Sequence, residues 1–241
     1  MIGTIVNALA IAVGGLIGLM LRGGMKPRYK DIIISVLGLS VAFIGISTAL
    51  GGLLSGEAEA ILYIVSLVIG SVIGETLKIE EKLEAVGDII QSKIGNKGGN
   101  VSQGFVTASL TFCVGTMAIL GSIESGIQGV HTTLFTKSVL DGVTSVIFAS
   151  TLGIGVLFSA VSVFLYQGAL TMLASVVQQY MTAAMMREIS IIGGIMIFAI
   201  GCNMLEIRRF KVGNMLPAIL VPVIYYLPPV QNFVTWIFSI F

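Results

Sequence analysis

The segment TKSVLDGVTSVIFASTLGIGVLFSA, residues 136–160, decides the fold of this chain, because it is apolar enough for a bilayer and yet carries two opposite charges. Lys137 and Asp141 are four residues apart, so on a helix their side chains lie on one face, one turn apart. A charge at membrane depth costs about 3 kcal/mol or more, so it is usually paired, turned toward the protein interior and functional. We therefore interpret this segment as the centre of the protein, with the rest of the chain packed around it.

The composition is that of an integral membrane protein. Of the 241 residues, 56% are hydrophobic and only 10% are charged, and the mean hydropathy is +1.02, whereas soluble domains carry about 25% charged residues. This predicts an all-α fold, a polytopic bundle of transmembrane helices that forms one membrane domain over residues 1–241. The formal net charge of +1 gives no electrostatic basis for binding nucleic acid, so the expected surroundings are the lipid bilayer.

Apolar segments of about 20 residues, the length needed to cross the hydrocarbon core, recur along the chain and predict about eight spans. The predicted spans are 2–21, 32–54, 58–77, 105–121, 137–151, 152–176, 189–205 and 212–227. Almost no loop separates the fifth span from the sixth. The alternative is therefore a short or re-entrant helix near 137–151, which would leave seven spans.

Lysine and arginine residues follow the first, third and seventh spans, whereas the intervening loops hold few cations. By the positive-inside rule these three basic segments face the cytoplasm, which places the N-terminus outside. Residues 79–94 alternate apolar and charged positions at helical spacing and predict an amphipathic helix on the membrane surface. The tail 228–241 is too short to cross and predicts an interfacial anchor, with Trp236 at headgroup depth.

Two segments resemble each other and predict an internal repeat. Residues 69–75, IGSVIGE, match 200–206, IGCNMLE, at an offset of 131 residues. Adding the same offset to the first span gives residues 133–152. The possible halves are therefore 1–95 and 105–227. Asn7 then occupies in the first half the place that Lys137 and Asp141 occupy in the second. The halves share one orientation if 137–151 crosses the membrane, and they are inverted if it does not.

Asp141 is the aspartate that lies well inside an apolar segment, and we interpret it as the centre of a cation or proton site. The alternative is a structural ion pair with Lys137, which could also anchor the helix at the interface. Glu124 is predicted to lie in a loop near the fifth span, and the polar residues within spans either line a pathway or bond helices together. The candidate substrate- or ion-binding residues are Asp141, Lys137, Asn7, Ser145, Glu124, Thr116 and Asn203.

The order of several motifs resembles that of the YdfK/YqgA-type bacterial membrane proteins, a family described as a domain of unknown function. The resemblance covers residues 2 to about 227, and the KSVLDG motif is its most specific part. It implies a multi-pass protein of the bacterial cytoplasmic (inner) membrane, and it supplies neither a function nor binding residues. The matching motifs are GTIVNALAIAVGGLIG (3–18), GTMAILGSIESGIQG (115–129), the segment 136–160, YQGALTMLA (166–174), GGIMIFAIGCNMLEI (193–207) and NMLPAIL (214–220).

The function predicted from these observations is secondary transport of a small solute or ion. A channel-like or structural membrane protein, in either case a possible homo-oligomer, is the alternative. An intramembrane enzyme has the least support, because the chain has one histidine, His131, and two isolated cysteines, and it lacks GxSxG and HExxH motifs. No catalytic residue and no cofactor is predicted, and the residues do not indicate a metal.

Overall fold

The computed structural model describes residues 1–22, 27–56, 58–94, 101–127, 129–174 and 181–231. Over these residues the chain is helical and contains no strand, which confirms the predicted all-α class. The helices are α1 (Ile2–Arg22), α2 (Pro27–Leu53), α3 (Ala60–Leu77), α4 (Ile79–Ile94), α5 (Val101–Cys113), α6 (Thr116–Ile127), α7 (Thr132–Leu152), α8 (Gly155–Met172), α9 (Ala183–Met204), α10 (Val212–Met215) and α11 (Leu220–Tyr225), with a 3-10 turn (Leu216–Ile219) between the last two.

Within the described part of the chain, five helices are long and apolar enough to cross a membrane, and a bent pair of helices would make six. The five are α1, residues 31–53 of α2, α3, α8 and α9. Helix α7 has 21 residues, about 31 Å of helix, but its charged and hydroxyl side chains make it less apolar. It is continuous and begins five residues before the predicted segment 137–151. The count of eight spans stays a prediction.

The predicted fourth span, 105–121, is interrupted in the structure. Helices α5 and α6 meet at an angle of 60°, and Gly115 between them has φ 140°. Only glycine adopts such a conformation without strain, because it lacks a Cβ atom. The apolar pattern of the sequence continues across this break, so the pattern alone predicted one helix where two exist.

Helix α1 packs against α7 and α8 with opposite polarity. It runs parallel to α7, since Gly3 lies beside Leu134 and Gly18 beside Ala149. It runs antiparallel to α8, since Thr4 bonds Thr171 while Gly15 lies beside Leu157. A Cβ atom on Gly14 would lie 2.2 Å from the carbonyl oxygen of Gly142, so the α1–α7 contact is close enough to require glycine.

Two further antiparallel contacts complete the bundle. In the contact of α2 with α9, Gly38 meets Leu205 and Gly52 meets Ile191. In the contact of α3 with residues 212–225, Gly70 meets Ala218 and Gly74 meets Asn214. Helix α5 runs parallel to α8, with a hydrogen bond of 3.1 Å from Ser109 Oγ to Ser162 Oγ. The buried apolar side chains of these contacts form the core.

The predicted amphipathic helix is present over the predicted residues, as α4 (Ile79–Ile94). Its first turn carries Glu80 and Glu81 and its last turn Lys93, an order that suits the helix dipole. Its position on the membrane surface stays a prediction. The linker 95–100 and the tail beyond residue 231, with Trp236, lie outside the described residues.

Candidate functional site

The ion pair predicted on one face of α7 is formed. The ammonium group of Lys137 donates to both carboxylate oxygens of Asp141, at 2.9 and 2.7 Å. Each of the two residues is only 7% exposed, because this face of α7 is covered by α1. The two charges therefore neutralise each other inside the bundle.

Two amides from neighbouring helices extend the pair into a buried polar cluster. Asn7 Nδ2 on α1 donates to Asp141 Oδ2 at 3.0 Å and to Gln167 Oε1 on α8 at 3.3 Å. Both amide side chains are wholly buried. We call the set of Asn7, Lys137, Asp141 and Gln167 the central cluster.

The central cluster holds one unpaired acceptor and one unpaired donor. Asn7 Oδ1 and Gln167 Nε2 have no hydrogen-bond partner among the described residues. Each such buried atom costs about 1–3 kcal/mol, and turning the Asn7 amide over would place its oxygen against the Asp141 carboxylate. A small molecule that both donates and accepts a hydrogen bond would satisfy the two atoms.

Polar contacts continue along the same helix interface on both sides of the cluster. Thr4 and Thr171 lie 3.3 Å apart one turn from Asn7. On the other side, Ser145 Oγ donates to the carbonyl oxygen of Ile11 at 2.7 Å. Ser145, a predicted site residue, is thus on the face of α7 that carries Asp141, but its hydroxyl is used to bond α1.

Two predicted site residues, Glu124 and Asn203, do not contact Asp141 in the described part of the structure. Glu124 lies within α6 and not in a loop, and it accepts a hydrogen bond of 2.6 Å from Thr133, about 12 Å along α7 from Asp141. Asn203 binds the backbone of Phe210 after the end of α9. Thr116 begins α6, and its side chain lies outside the described part of the structure.

A cavity of about 440 Å³ opens at the end of the bundle where α9 ends. It reaches Leu110, one turn before the break between α5 and α6, and a smaller cavity of about 130 Å³ shares residues with it. Cys113 is the last residue of α5, directly before the break. The residues around the larger cavity are Glu80, Glu84, Ser102, Gln103, Val106, Thr107, Leu110, Ile200, Asn203, Glu206, Arg208, Arg209 and Val212.

Glu80 connects α4 to α10 by hydrogen bonds beside this cavity. Its carboxylate accepts the backbone N–H of Gly213 at 2.6 Å, and its own N–H donates to Asn214 Oδ1 at 2.7 Å. Burial raises the pKa of the Glu80 carboxyl above its ordinary value, and the hydrogen bond from Gly213 partly opposes this shift. Arg209 forms an ion pair with Glu84 at the rim of the cavity.

Two residues that sequence reasoning did not place at a site now stand out, Gln167 in the central cluster and Glu188. Glu188 lies one residue before the predicted start of the seventh span and is nevertheless wholly buried. For Gln167 the available signal was a polar side chain inside the predicted sixth span, and for Glu188 it was an ionisable side chain at the edge of the predicted seventh span. Within the described residues, no group of three or more His, Cys, Asp or Glu side chains could hold a metal ion.

Comparison with known proteins places the chain among uncharacterised proteins. The family described as "Protein of unknown function (DUF554)" matches residues 2–227. The chain is 36% identical over 224 residues to "Uncharacterized membrane protein YdfK" of Bacillus subtilis, covering 92% of this chain and 94% of that protein. It is 30% identical over 224 residues to "Uncharacterized protein YqgA" of Escherichia coli, covering 91% and 93%. No solved structure matches the chain.

Proposed function

Since the chain belongs to the DUF554 family of membrane proteins, and the family supplies no activity, we propose from the geometry of the site that it is a secondary transporter of a small solute or ion that binds at the central cluster. The proposal assigns the protein no catalytic reaction.

The proposal rests mainly on the unpaired polar atoms of the central cluster. A salt bridge alone could be a structural element, but purely structural networks leave few buried polar atoms unpaired. Here the ion pair lies beside one unpaired acceptor, on Asn7, and one unpaired donor, on Gln167. A bound solute with both hydrogen-bonding functions would complete the network.

The broken helix supports a route to this site. Transporters commonly build substrate sites beside discontinuous helices, where unwound backbone lines a cavity. The break at Val114 and Gly115 follows Leu110, which lines the large cavity, and Phe112 beside the break stacks on Phe148 of α7, seven residues after Asp141. We infer that movement at this break opens the central cluster to the cavity.

The order of the antiparallel contacts supports the same reading. Helices α1, α2 and α3 pack antiparallel, in that order, against α8, α9 and residues 212–225, as inverted repeats would. Residues 38–45, GLSVAFIG, also resemble 194–201, GIMIFAIG. This inverted relation has an offset of 156 residues, pairs α1 with α8 and leaves α7 outside the repeat. We favour it over the parallel relation at an offset of 131 residues.

In the proposed orientation the N-terminus lies outside the bacterial cytoplasmic membrane, and the cavity faces the cytoplasm. The basis is the excess of lysine and arginine after α1, α3 and α9. The large cavity lies where the segment after α9 meets α4, so in the proposed transporter the cavity opens to the cytoplasm while the central cluster remains buried and closed off from it.

A ligand screen with purified full-length protein tests the proposal. The melting temperature of wild type, Asp141→Asn and Asp88→Asn is measured against ions, amino acids and organic acids. Asp88 is exposed on α4, so Asp88→Asn controls for the chemical change itself. A solute that binds the native state raises the melting temperature, and we expect Asp141→Asn alone to lose this rise.

Uptake of that solute into proteoliposomes completes the test. We expect saturable uptake by wild type and Asp88→Asn, and none above background by Asp141→Asn. If Asp141→Asn binds and takes up the solute as wild type does, the proposed site is wrong. A solute flux that does not saturate, and that is the same in Asp141→Asn as in wild type, would favour the channel-like alternative.

A further inference from the structure

Among the described residues, no counter-charge contacts the carboxylate of Glu188 directly. Glu188 lies in the second turn of α9 and is 0% exposed. Its Oε1 atom accepts the backbone N–H of Glu59 at 3.0 Å, whereas its Oε2 atom has no hydrogen-bond partner among the described residues. An ionised carboxylate buried in this way is strongly unfavourable unless a cation or a proton neutralises it.

A second carboxylate lies beside it, on Glu59 just before α3. Glu59 accepts the hydroxyl of Tyr226 at 2.8 Å on one oxygen and that of Tyr225 at 3.2 Å on the other. The negative charge of Glu59 acts on Glu188, and that of Glu188 acts on Tyr226. The start of α3, the start of α9 and the end of α11 therefore bring two carboxylates and two phenol oxygens together.

The ligand atoms of this cluster suit one small, hard cation. All of them are oxygens, which hard cations prefer. Among the described residues, Glu59 and Glu188 supply the carboxylates, and no group of three or more His, Cys, Asp or Glu side chains is present that could hold a metal ion. Two carboxylates suit a monovalent ion better than a divalent one.

We propose that Glu188, with Glu59 and Tyr226, forms a binding site for a single monovalent cation, an alkali-metal ion or a proton. Both occupants neutralise the same buried carboxylate. The site lies at the start of α9 and shares no residue with the central cluster, so the proposal does not depend on solute binding at Asp141.

The test measures the melting temperature of full-length protein in detergent at constant ionic strength. N-methyl-D-glucamine chloride is replaced stepwise by sodium, lithium or potassium chloride, and the series is repeated across a range of pH. If an alkali ion binds, we expect wild type to gain about 4 °C for each tenfold rise in that ion above its Kd. If a proton binds, the alkali ions have no effect and the melting temperature rises as the pH falls.

Substituted variants then show which residues the alkali-ion response or the pH response depends on. Glu188→Gln removes the charge and keeps a similar shape, so we expect it to lose the alkali response or the pH response, whichever wild type has. Glu81→Gln, which changes an exposed carboxylate on α4, should retain it. Tyr226→Phe and Glu59→Gln leave Glu188 in place and should require about tenfold more cation for the same shift, or move the pH response by about one unit.

The proposal is overturned if wild type responds neither to alkali ions nor to pH, or if Glu188→Gln responds as wild type does. Should Glu188→Gln fail to fold, unchanged responses in both Tyr226→Phe and Glu59→Gln overturn the proposal equally. If Glu81→Gln also loses the response, the response arises from surface charge and not from this site.

Discussion

At the scale of single residues, the Lys137–Asp141 pair is stable because both partners are present. Burying two charges is costly, and their mutual attraction offsets this cost only when the geometry is good and the remaining atoms are hydrogen-bonded. Here the ammonium group contacts both carboxylate oxygens, and Asn7 adds a third hydrogen bond. Removing one partner therefore harms the protein more than removing both.

Lys137→Met should destabilise the protein by about 3–5 kcal/mol if Asp141 stays ionised, and by less if the carboxyl takes up a proton instead. Adding Asp141→Asn should recover most of that loss, because the amide carries no charge. Chemical denaturation of the single and double variants in detergent measures the coupling. The exposed pair Lys78–Glu81 is the control, with a coupling of less than about 1 kcal/mol. Additive effects of the Lys137 and Asp141 substitutions would contradict the argument.

Glu80 predicts a specific pH dependence. Because burial raises its pKa in the folded protein, the native state binds this proton more readily than the unfolded chain does. The contribution of Glu80 to stability is therefore full at low pH and is lost as the pH rises from about 4.5 through the raised pKa. Glu80→Gln cannot titrate. We expect the melting temperature of wild type minus that of Glu80→Gln to fall as the pH rises, and a constant difference would contradict this.

At the scale of helices, glycine determines how closely α1 and α7 approach. Gly14 and Gly18 each face a carbonyl oxygen of α7, which a Cβ atom would approach to 2.2 Å. In a bilayer, lipid competes for apolar contact, so close packing of backbones at small residues is a main source of helix association. The same contact brings Asn7 to Asp141, which couples helix packing to the site.

Gly14→Ala should therefore push α1 away from α7 and destabilise the protein by about 1–3 kcal/mol. It should also weaken solute binding at the central cluster. Gly51→Ala is the matched control, because a Cβ atom there meets nothing within 4 Å, and helix propensity should make it neutral or slightly stabilising. Melting temperatures of the two variants measure the difference. Equal effects would show that the close contact is not limiting.

At the scale of the whole molecule, the segments after α3 and α9 come together at one end of the bundle. Lys211 after α9 pairs with Glu75 at the end of α3, and Arg209 pairs with Glu84 on α4. Glu59 and Tyr226 meet at the opposite end. This agrees with the positive-inside pattern, in which the segments after α3 and α9 share one side.

We expect Arg208→Cys to resist an impermeant thiol reagent in intact cells and to react after the membrane is opened. Ser55→Cys, at the other end of the bundle, should react in intact cells. Both are placed in a chain whose native cysteines, Cys113 and Cys202, are replaced by serine. Mass shifts on gels measure the labelling. The reverse pattern would invert the proposed topology.

The sequence by itself determined the features that depend on neighbouring residues. Hydropathy over about 20 residues specified a helical membrane protein, charge periodicity specified α4 to its ends, and a spacing of four placed Lys137 and Asp141 on one face. These signals are local, because a helix repeats every 3.6 residues whatever it packs against.

Only the tertiary structure decided which helix faces meet. Gln167 reaches Asn7 across 160 positions of sequence, Glu188 reaches Glu59 across 129, and Glu124 and Asn203 turned out to lie away from Asp141. The break at Gly115 was hidden by an unbroken apolar pattern. The physical reason is that these relations depend on the registers at which glycine-lined helices pack, and a register is set by contacts between distant segments, which hydropathy and spacing along one segment do not encode.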